Sequence, residues 1–156
     1  MHFVEKSRDI SGSSFMETAI YEAQKAADRG SVPIGAVVIG ENRIISFAGN
    51  EVIKRSDPTA HAEIIAIRQA CGLRNTHILN DCDMYVTLEP CPMCAQAISL
   101  ARIRRLYFGA YDPKYGGVEH GARIFDHAIH KTEAIGGVLA TQCAKILKNF
   151  FENKRN

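Results

Sequence analysis

The sequence predicts a three-layer α/β/α sandwich around a mixed sheet of about five strands. Three observations carry that expectation. Short apolar and β-branched runs alternate with helix-period segments along the chain. Two of the runs, 32–40 and 43–49, are separated only by a tight turn, which makes them an antiparallel pair. A strand–helix–strand unit over 84–111 demands a right-handed parallel crossover. Parallel strands are buried on both faces, so helices must cover the sheet from both sides.

Each element follows from local signals. Residues 1–13 are polar and aperiodic, a loose N-terminal arm ahead of a single domain over 14–156. Ser14 and Glu17 match the S-x-x-E capping box. They open a helix that runs to Gly30, with Phe15, Ala19, Ile20, Ala23, Ala26 and Ala27 on one face. "VPIGAVVIG" (32–40) is a central strand, and "GEN" turns the chain into its partner "RIISFAG" (43–49). Within "DPTAHAEIIAI" (57–67) a helix begins near Thr59 and runs to Cys71, with Gly72 as its stop. "MYVTL" (84–88) is a strand that "EPCP" breaks. Pro92 suits the first position of the next helix, 92–101, because its missing N–H would have no partner there. "RLYFGAY" (105–111) is a strand, "KYGGVEHG" a loop, "ARIFDHAI" a short helix and "KTEAIGG" a last short strand. The terminal helix, 138–153, spaces Ala140, Cys143, Ala144, Leu147, Phe150 and Phe151 as a stripe that is mostly core, its aromatic end open to a partner.

Composition narrows the function classes. A chain of 156 residues, 46% hydrophobic and 23% charged, suits one soluble domain with a real core. No apolar run approaches the roughly 18–20 residues of a membrane span. Met1 to Ser14 lacks the apolar centre of a signal peptide, so a cytoplasmic location is expected. Five cysteines, an odd count without a secretion signal, argue against a disulfide framework. Cys71, Cys82 and Cys143 read as small buried hydrophobes. The net charge of +2 resides entirely in the last 25 residues, where Lys145, Lys148, Lys154 and Arg155 face Glu133 and Glu152. Arg102, Arg104 and Arg105 form a second basic cluster; either cluster alone is ordinary solvated charge.

Chemistry concentrates in two short segments. Cys91 and Cys94 form a C-x-x-C pair at a helix start, a pattern used either as a redox dithiol or as a metal clip. The redox reading wants a thioredoxin-like context and leaves His61 and Glu63 without a role. The metal reading uses them. Zinc takes soft or borderline ligands in a tetrahedron, and His61, Cys91 and Cys94 supply three. No second C-x-x-C or H-x₃₋₅-H appears to close a structural site; His127 and His130 are remote options for a fourth ligand. Three protein ligands and an open position are the catalytic pattern. Zinc in such a site lowers the pKa of its water to roughly 7, and Glu63 is left free as general acid and base. His61 and Glu63 do not share a helix face, being two residues apart. At a helix N-terminus that is no obstacle, because the first side chains fan out around the axis end. The helix dipole there favours thiolate and other anions.

The pieces His61-Ala62-Glu63 and Pro90-Cys91-Pro92-Met93-Cys94 match the H-x-E…P-C-x-x-C signature of the zinc-dependent nucleoside and nucleobase deaminases. The chain resembles that superfamily. "VPIGAVV", "DPTAHAEI", "YVTLEPCPMC", "FGAYDPKYG" and "NFFENKR" place it nearest the bacterial tRNA-specific adenosine deaminases, over about residues 15–155. The resemblance implies a cytidine deaminase-like fold, one zinc ion per subunit, and hydrolytic deamination of adenosine to inosine at the wobble position of a tRNA anticodon. It implies that His61, Cys91 and Cys94 hold the metal and that Glu63 protonates the adenine ring. It further implies that Asn50 contacts a flipped nucleoside, Ile34 walls the base pocket and the Ala62 backbone bonds the base edge. Asp112 would lie beside the nucleic-acid path, with Phe150, Lys154 and Arg155 on the anticodon loop. The expected partners are a tRNA anticodon stem-loop and a second copy of the chain, with no membrane. Two residue-level rivals stand beside these roles: Asn50 caps a turn, and Asp112, ahead of Pro113, forms one.

The sequence departs from the family between Gly117 and Glu133, where "VEHGARIFDHAIHKT" replaces a small-residue, serine-containing stretch followed by a leucine-rich helix. Two other functions compete with the leading one. The same chemistry on free guanine or cytosine needs only the shared motifs, and a zinc-stabilised RNA-binding module needs only the ligands.

Overall fold

The structure is a computed structural model and describes residues 12–155. The expected arm lies outside the described residues except for its last two positions, which already belong to the first helix. The elements run α1 (Gly12–Asp28), β1 (Gly35–Gly40), β2 (Arg43–Gly49), α2 (Val52–Arg55), α3 (Ala62–Arg74), β3 (Cys82–Leu88), α4 (Pro92–Leu100), β4 (Arg105–Ala110), β5 (Glu133–Ile135) and α5 (Ala140–Arg155).

The five strands form one sheet in the order β2-β1-β3-β4-β5. β1 pairs antiparallel with β2 and with β3, while β3, β4 and β5 run parallel, so the sheet is mixed as expected. The β1–β2 hairpin closes through Glu41 and Asn42, both left-handed at φ 52° and 60°, the geometry that the twist of a two-residue hairpin favours. The alternation of β1 sorts its side chains between two cores. Ala36 and Val38 face α3 and α4 with Met84, Val86, Ile65, Ile98, Leu106 and Phe108. Val37 and Ile39 face α1 with Phe15, Met16, Ala19 and Tyr85, joined by Cys143 of α5. That is the three-layer arrangement. Its tight fit shows at Gly35, where a β-carbon would collide with the Ala19 backbone of α1.

Several boundaries differ from expectation. The first helix starts at Gly12, so Ser14 lies inside it and does not cap it; its carbonyl accepts the Thr18 hydroxyl. α3 passes through Gly72 to Arg74 and stops at Asn75, which takes the left-handed conformation at φ 52°. α2 is four residues long, too short to leave a periodic trace in the sequence. The helix expected in "ARIFDHAI" is only a 3₁₀ turn over Ile124–Asp126, which buries Phe125. The α5 stripe is not mostly core. Cys143 is buried, but Ala144 is exposed and Phe151 is 48% exposed.

Candidate metal centre

Two helix starts converge beyond the sheet. His61 precedes α3 and Cys91 precedes α4, each in extended conformation at the N-cap position with no side-chain capping bond. Their side chains are therefore free to point off the helix ends. Pro92 occupies the first turn of α4, as its fixed φ and missing N–H favour. Cys94, in that same first turn, is fully buried.

The imidazole Nδ1 of His61 lies 3.7 Å from Cys91 Sγ and 3.4 Å from Cys94 Sγ. All three potential ligand atoms fall within 4.8 Å of one another, and among the described residues no fourth metal-binding side chain joins them. His130 is engaged elsewhere, its Nε2 lying 3.0 Å from the Ile103 carbonyl. Tetrahedral zinc, with bonds of about 2.0 Å to nitrogen and 2.3 Å to sulfur, separates such ligands by about 3.6 Å. The donor set and its spacing thus fit zinc. The three groups share protons closely: the Cys94 hydrogen bond, with help from His61, pulls the Cys91 thiol down to about 4. Cys94 is driven up by its bond to Cys91 and by burial, and the Cys91 contact raises His61.

Glu63 stands in the first turn of α3, 3% exposed. Its Oε1 is buried without a hydrogen-bond partner among the described residues. Burial pushes the carboxyl up to about 7, against the opposing pull of its own backbone N–H and of His61. A buried, unpaired carboxyl oxygen is costly, and here it lines a cavity beside the metal ligands. The cavity holds about 450 Å³, enough for a nucleobase, and Val32, Ile34, Leu88, Tyr111, Asp112 and Phe151 help wall it.

The structure brings some of the sequence-derived site residues together and leaves others apart. Ile34, His61, Glu63, Cys91 and Asp112 share the cavity, and Cys94 completes the ligand group. Ala62 is buried at the first position of α3, where its N–H has no intrahelical acceptor. Asn50 does not line the cavity. Its Oδ1 accepts the Val52 N–H at 3.0 Å to open α2, and its own N–H donates to the Ile34 carbonyl at 3.0 Å. It is thus tied by its backbone to Ile34, a cavity-lining residue. Asp112 lines the cavity, and its Oδ1 accepts the Lys114 and Tyr115 N–H groups, so it has the turn-forming role. Phe150 and Lys154 lie in a separate groove against α1, with the Lys154 Nζ 5.0 Å from the Phe150 ring centre. Their neighbour Phe151 reaches the cavity instead. Arg155 is the last residue of α5.

Sequence reasoning missed Glu89. It sits directly after β3, is 2% exposed, and lines the cavity. Burial would raise its carboxyl, but the N–H of Asp112, the His120 ring and the N–H groups of His120 and Val118 together hold it below the usual carboxylate range. An acid ending a β-branched strand just ahead of a ligand cysteine was a legible signal. Tyr111 and Tyr115 lie inside the "FGAYDPKYG" motif, but nothing in the linear pattern assigns their rings to the cavity.

Comparison with known proteins agrees with this geometry. Residues 10–110 match the family model of the cytidine and deoxycytidylate deaminase zinc-binding region. A tRNA-specific adenosine deaminase of Agrobacterium fabrum is 50% identical over 143 residues, covering 90% of this chain and 94% of that protein. A tRNA-specific adenosine deaminase of Aquifex aeolicus is 42% identical over 144 residues, 91% of this chain and 95% of that protein. A solved structure from a study of A-to-I editing by tRNA:A34 deaminases at the wobble position of transfer RNA superposes with a TM-score of 0.84 at 50% identity. It covers 85% of this chain and 98% of its own. A guanine deaminase from Bacillus subtilis matches more partially, with a TM-score of 0.63, 38% identity and 65% of each chain covered.

Proposed function

Because this chain belongs to the cytidine and deoxycytidylate deaminase zinc-binding family, we propose that it hydrolyses adenosine to inosine and ammonia at the wobble position of a tRNA anticodon. The observation that carries the reading is the unpaired Oε1 of Glu63, buried beside three zinc-type ligands on a base-sized cavity.

His61, Cys91 and Cys94 would hold the zinc. Zinc there supplies a Lewis acid that makes water nucleophilic at neutral pH. Glu63 moves the protons: a carboxyl raised to about 7 both accepts and donates near neutrality. Its Oε1 would take one proton from the attacking water and pass it to the adenine ring nitrogen, and would then pass the remaining proton of the added hydroxyl to the exocyclic amine, which leaves as ammonia. Ile34, Val32 and Leu88 give the base an apolar slot. A nucleotide taken out of its stack also needs flanking contacts. Tyr111, Tyr115 and Phe151, each 48% exposed or more at the cavity, offer stacking faces, and Lys114 offers charge.

The reading includes a homodimer and a cytoplasmic location. Ile64, Ile67, Cys71 and Leu100 line an apolar surface of α3 and α4, and the 68% exposed Leu100 supports a second copy as its cover. No helix among the described residues is long and apolar enough to cross a membrane.

The test offers zinc-loaded protein a stem-loop RNA with adenosine at the wobble position, and separately free guanine and cytosine, and follows inosine by its mass shift. Inosine in the RNA is expected. Turnover of a free base with the RNA left intact would overturn the proposal in favour of a free-base deaminase.

A further inference from the structure

One carboxylate ties down both ends of the loop that supplies much of the cavity rim. Glu89 Oε1 accepts the Asp112 N–H at 3.0 Å, where the chain leaves β4. Glu89 Oε2 accepts the N–H groups of Val118, Glu119 and His120 at 3.3, 3.0 and 3.0 Å, where the loop returns. The His120 side chain closes the set, its Nδ1 donating to Oε1 at 2.8 Å. Lys114 and Tyr115 stand between these anchors, and with Asp112 itself and Tyr111 just before it they line the cavity. The loop fits closely enough that a β-carbon at Gly116 would collide with the Glu89 carboxylate, and one at Gly117 would press on the Pro92 backbone. The Tyr111 ring meets the His120 imidazole edge-to-face, with centroids 6.1 Å apart.

We propose that Glu89 and His120 form a clamp that presets the 111–121 loop for the polynucleotide part of the substrate, with His120 as a positioning residue. The proposal rests on the deaminase reading for its substrate, but the clamp itself is a statement about the loop. The carboxylate of Glu89 is fully covered while the His120 ring remains 36% exposed, so the ring acts as the outer half of the clamp. Without the ring, the loop keeps its backbone bonds but loses the lateral hold on Oε1 and on Tyr111. A loop that wanders weakens grip on the RNA flanks more than it alters proton transfer at Glu63, which sits on α3.

The experiment compares His120→Ala with His120→Asn, whose side-chain amide can place a donor where Nδ1 was. In zinc-loaded protein, His120→Ala should speed amide exchange at Asp112 and at 118–120, and His120→Asn should retain the protection. With the wobble-adenosine stem-loop, His120→Ala should raise KM about tenfold, with a much smaller change in kcat, and His120→Asn should recover most of the loss. Unchanged exchange in His120→Ala overturns the clamp. So does a fall in kcat at constant KM, or an Asn variant no better than Ala. If wild-type protein leaves the RNA unmodified, the deaminase reading falls, and the exchange data alone decide the clamp.

Discussion

His61 Nδ1 stands 3.4 Å from Cys94 Sγ although 33 positions separate them in the chain. Neither helix start could form a site alone. The sheet holds them together, because α3 and α4 pack on one face of it and both open at the same end. The 3.4 Å approach of imidazole and thiol is a hydrogen-bond distance, and it is also close to the spacing that a shared tetrahedral zinc ligand would set.

Removal of that ligand should therefore abolish activity and weaken the fold. Dialysis against a chelator is expected to cut turnover at least about a hundredfold and lower the thermal midpoint, and stoichiometric zinc should restore both. Cys94→Ser should bind less than one zinc per chain by elemental analysis. Full activity in metal-free protein would contradict the assignment.

Glu63→Gln separates chemistry from metal binding. It keeps the shape of the side chain but cannot shuttle a proton. Turnover should fall about 10²- to 10⁴-fold while zinc content stays at the wild-type level. A rate within tenfold of wild type would remove Glu63 from the mechanism.

Glu89→Gln should destabilise the protein at neutral pH. The amide end of Gln meets N–H donors that the carboxylate now satisfies, so a cost of about 2–4 kcal/mol in urea unfolding is expected. The folded protein holds this carboxyl below its ordinary value of 4.5. The unfolded state therefore binds the proton first as pH falls, and the stabilisation is present above about pH 4.5 and lost below it. The gap between wild type and variant should narrow on acidification through that range. A gap independent of pH would mean that the charge of Glu89 contributes nothing.

Phe151→Ala and Phe150→Ala should part company. Phe151 lines the cavity and Phe150 does not. Loss of a stacking ring costs about 1–3 kcal/mol, so Phe151→Ala should raise KM for the stem-loop about tenfold, with Phe150→Ala well below that. Equal effects would place the RNA along both rings.

Gly35→Ala tests the packing of α1 on β1. The new methyl would meet the Ala19 carbonyl and lie 2.8 Å from the Ala23 nitrogen. Backbone atoms cannot step aside as a flexible side chain can, so a loss of about 1–3 kcal/mol is expected by chemical denaturation. An unchanged midpoint would show that α1 can shift freely on the sheet.

The fold was legible where the signals are local and periodic. β1 and β2 declared themselves through two apolar runs around a tight turn, and Pro92 marked the start of α4. Boundaries failed where a neighbour, rather than the local residue, decides. Gly72 looked like a stop, yet α3 continues because Asn75 supplies the left-handed cap three residues later. The 122–129 segment looked helical, but its backbone is drawn to Gly117, whose carbonyl accepts the Ile124 N–H, and only a 3₁₀ turn remains.

The sequence by itself determined the chemistry. His, Glu and a cysteine pair at two helix starts admit few uses, and ligand identity is written in residue type and spacing. Only the tertiary structure decided the surroundings. It buried Oε1 of Glu63 without a partner among the described residues, turned Phe151 rather than Phe150 to the cavity, tied Asn50 to Val52 and Ile34, and gave Glu89 both ends of one loop. Those properties depend on which side chains of distant elements meet around the sheet. Desolvation and direction belong to contacts between distant segments, and a linear pattern does not contain them.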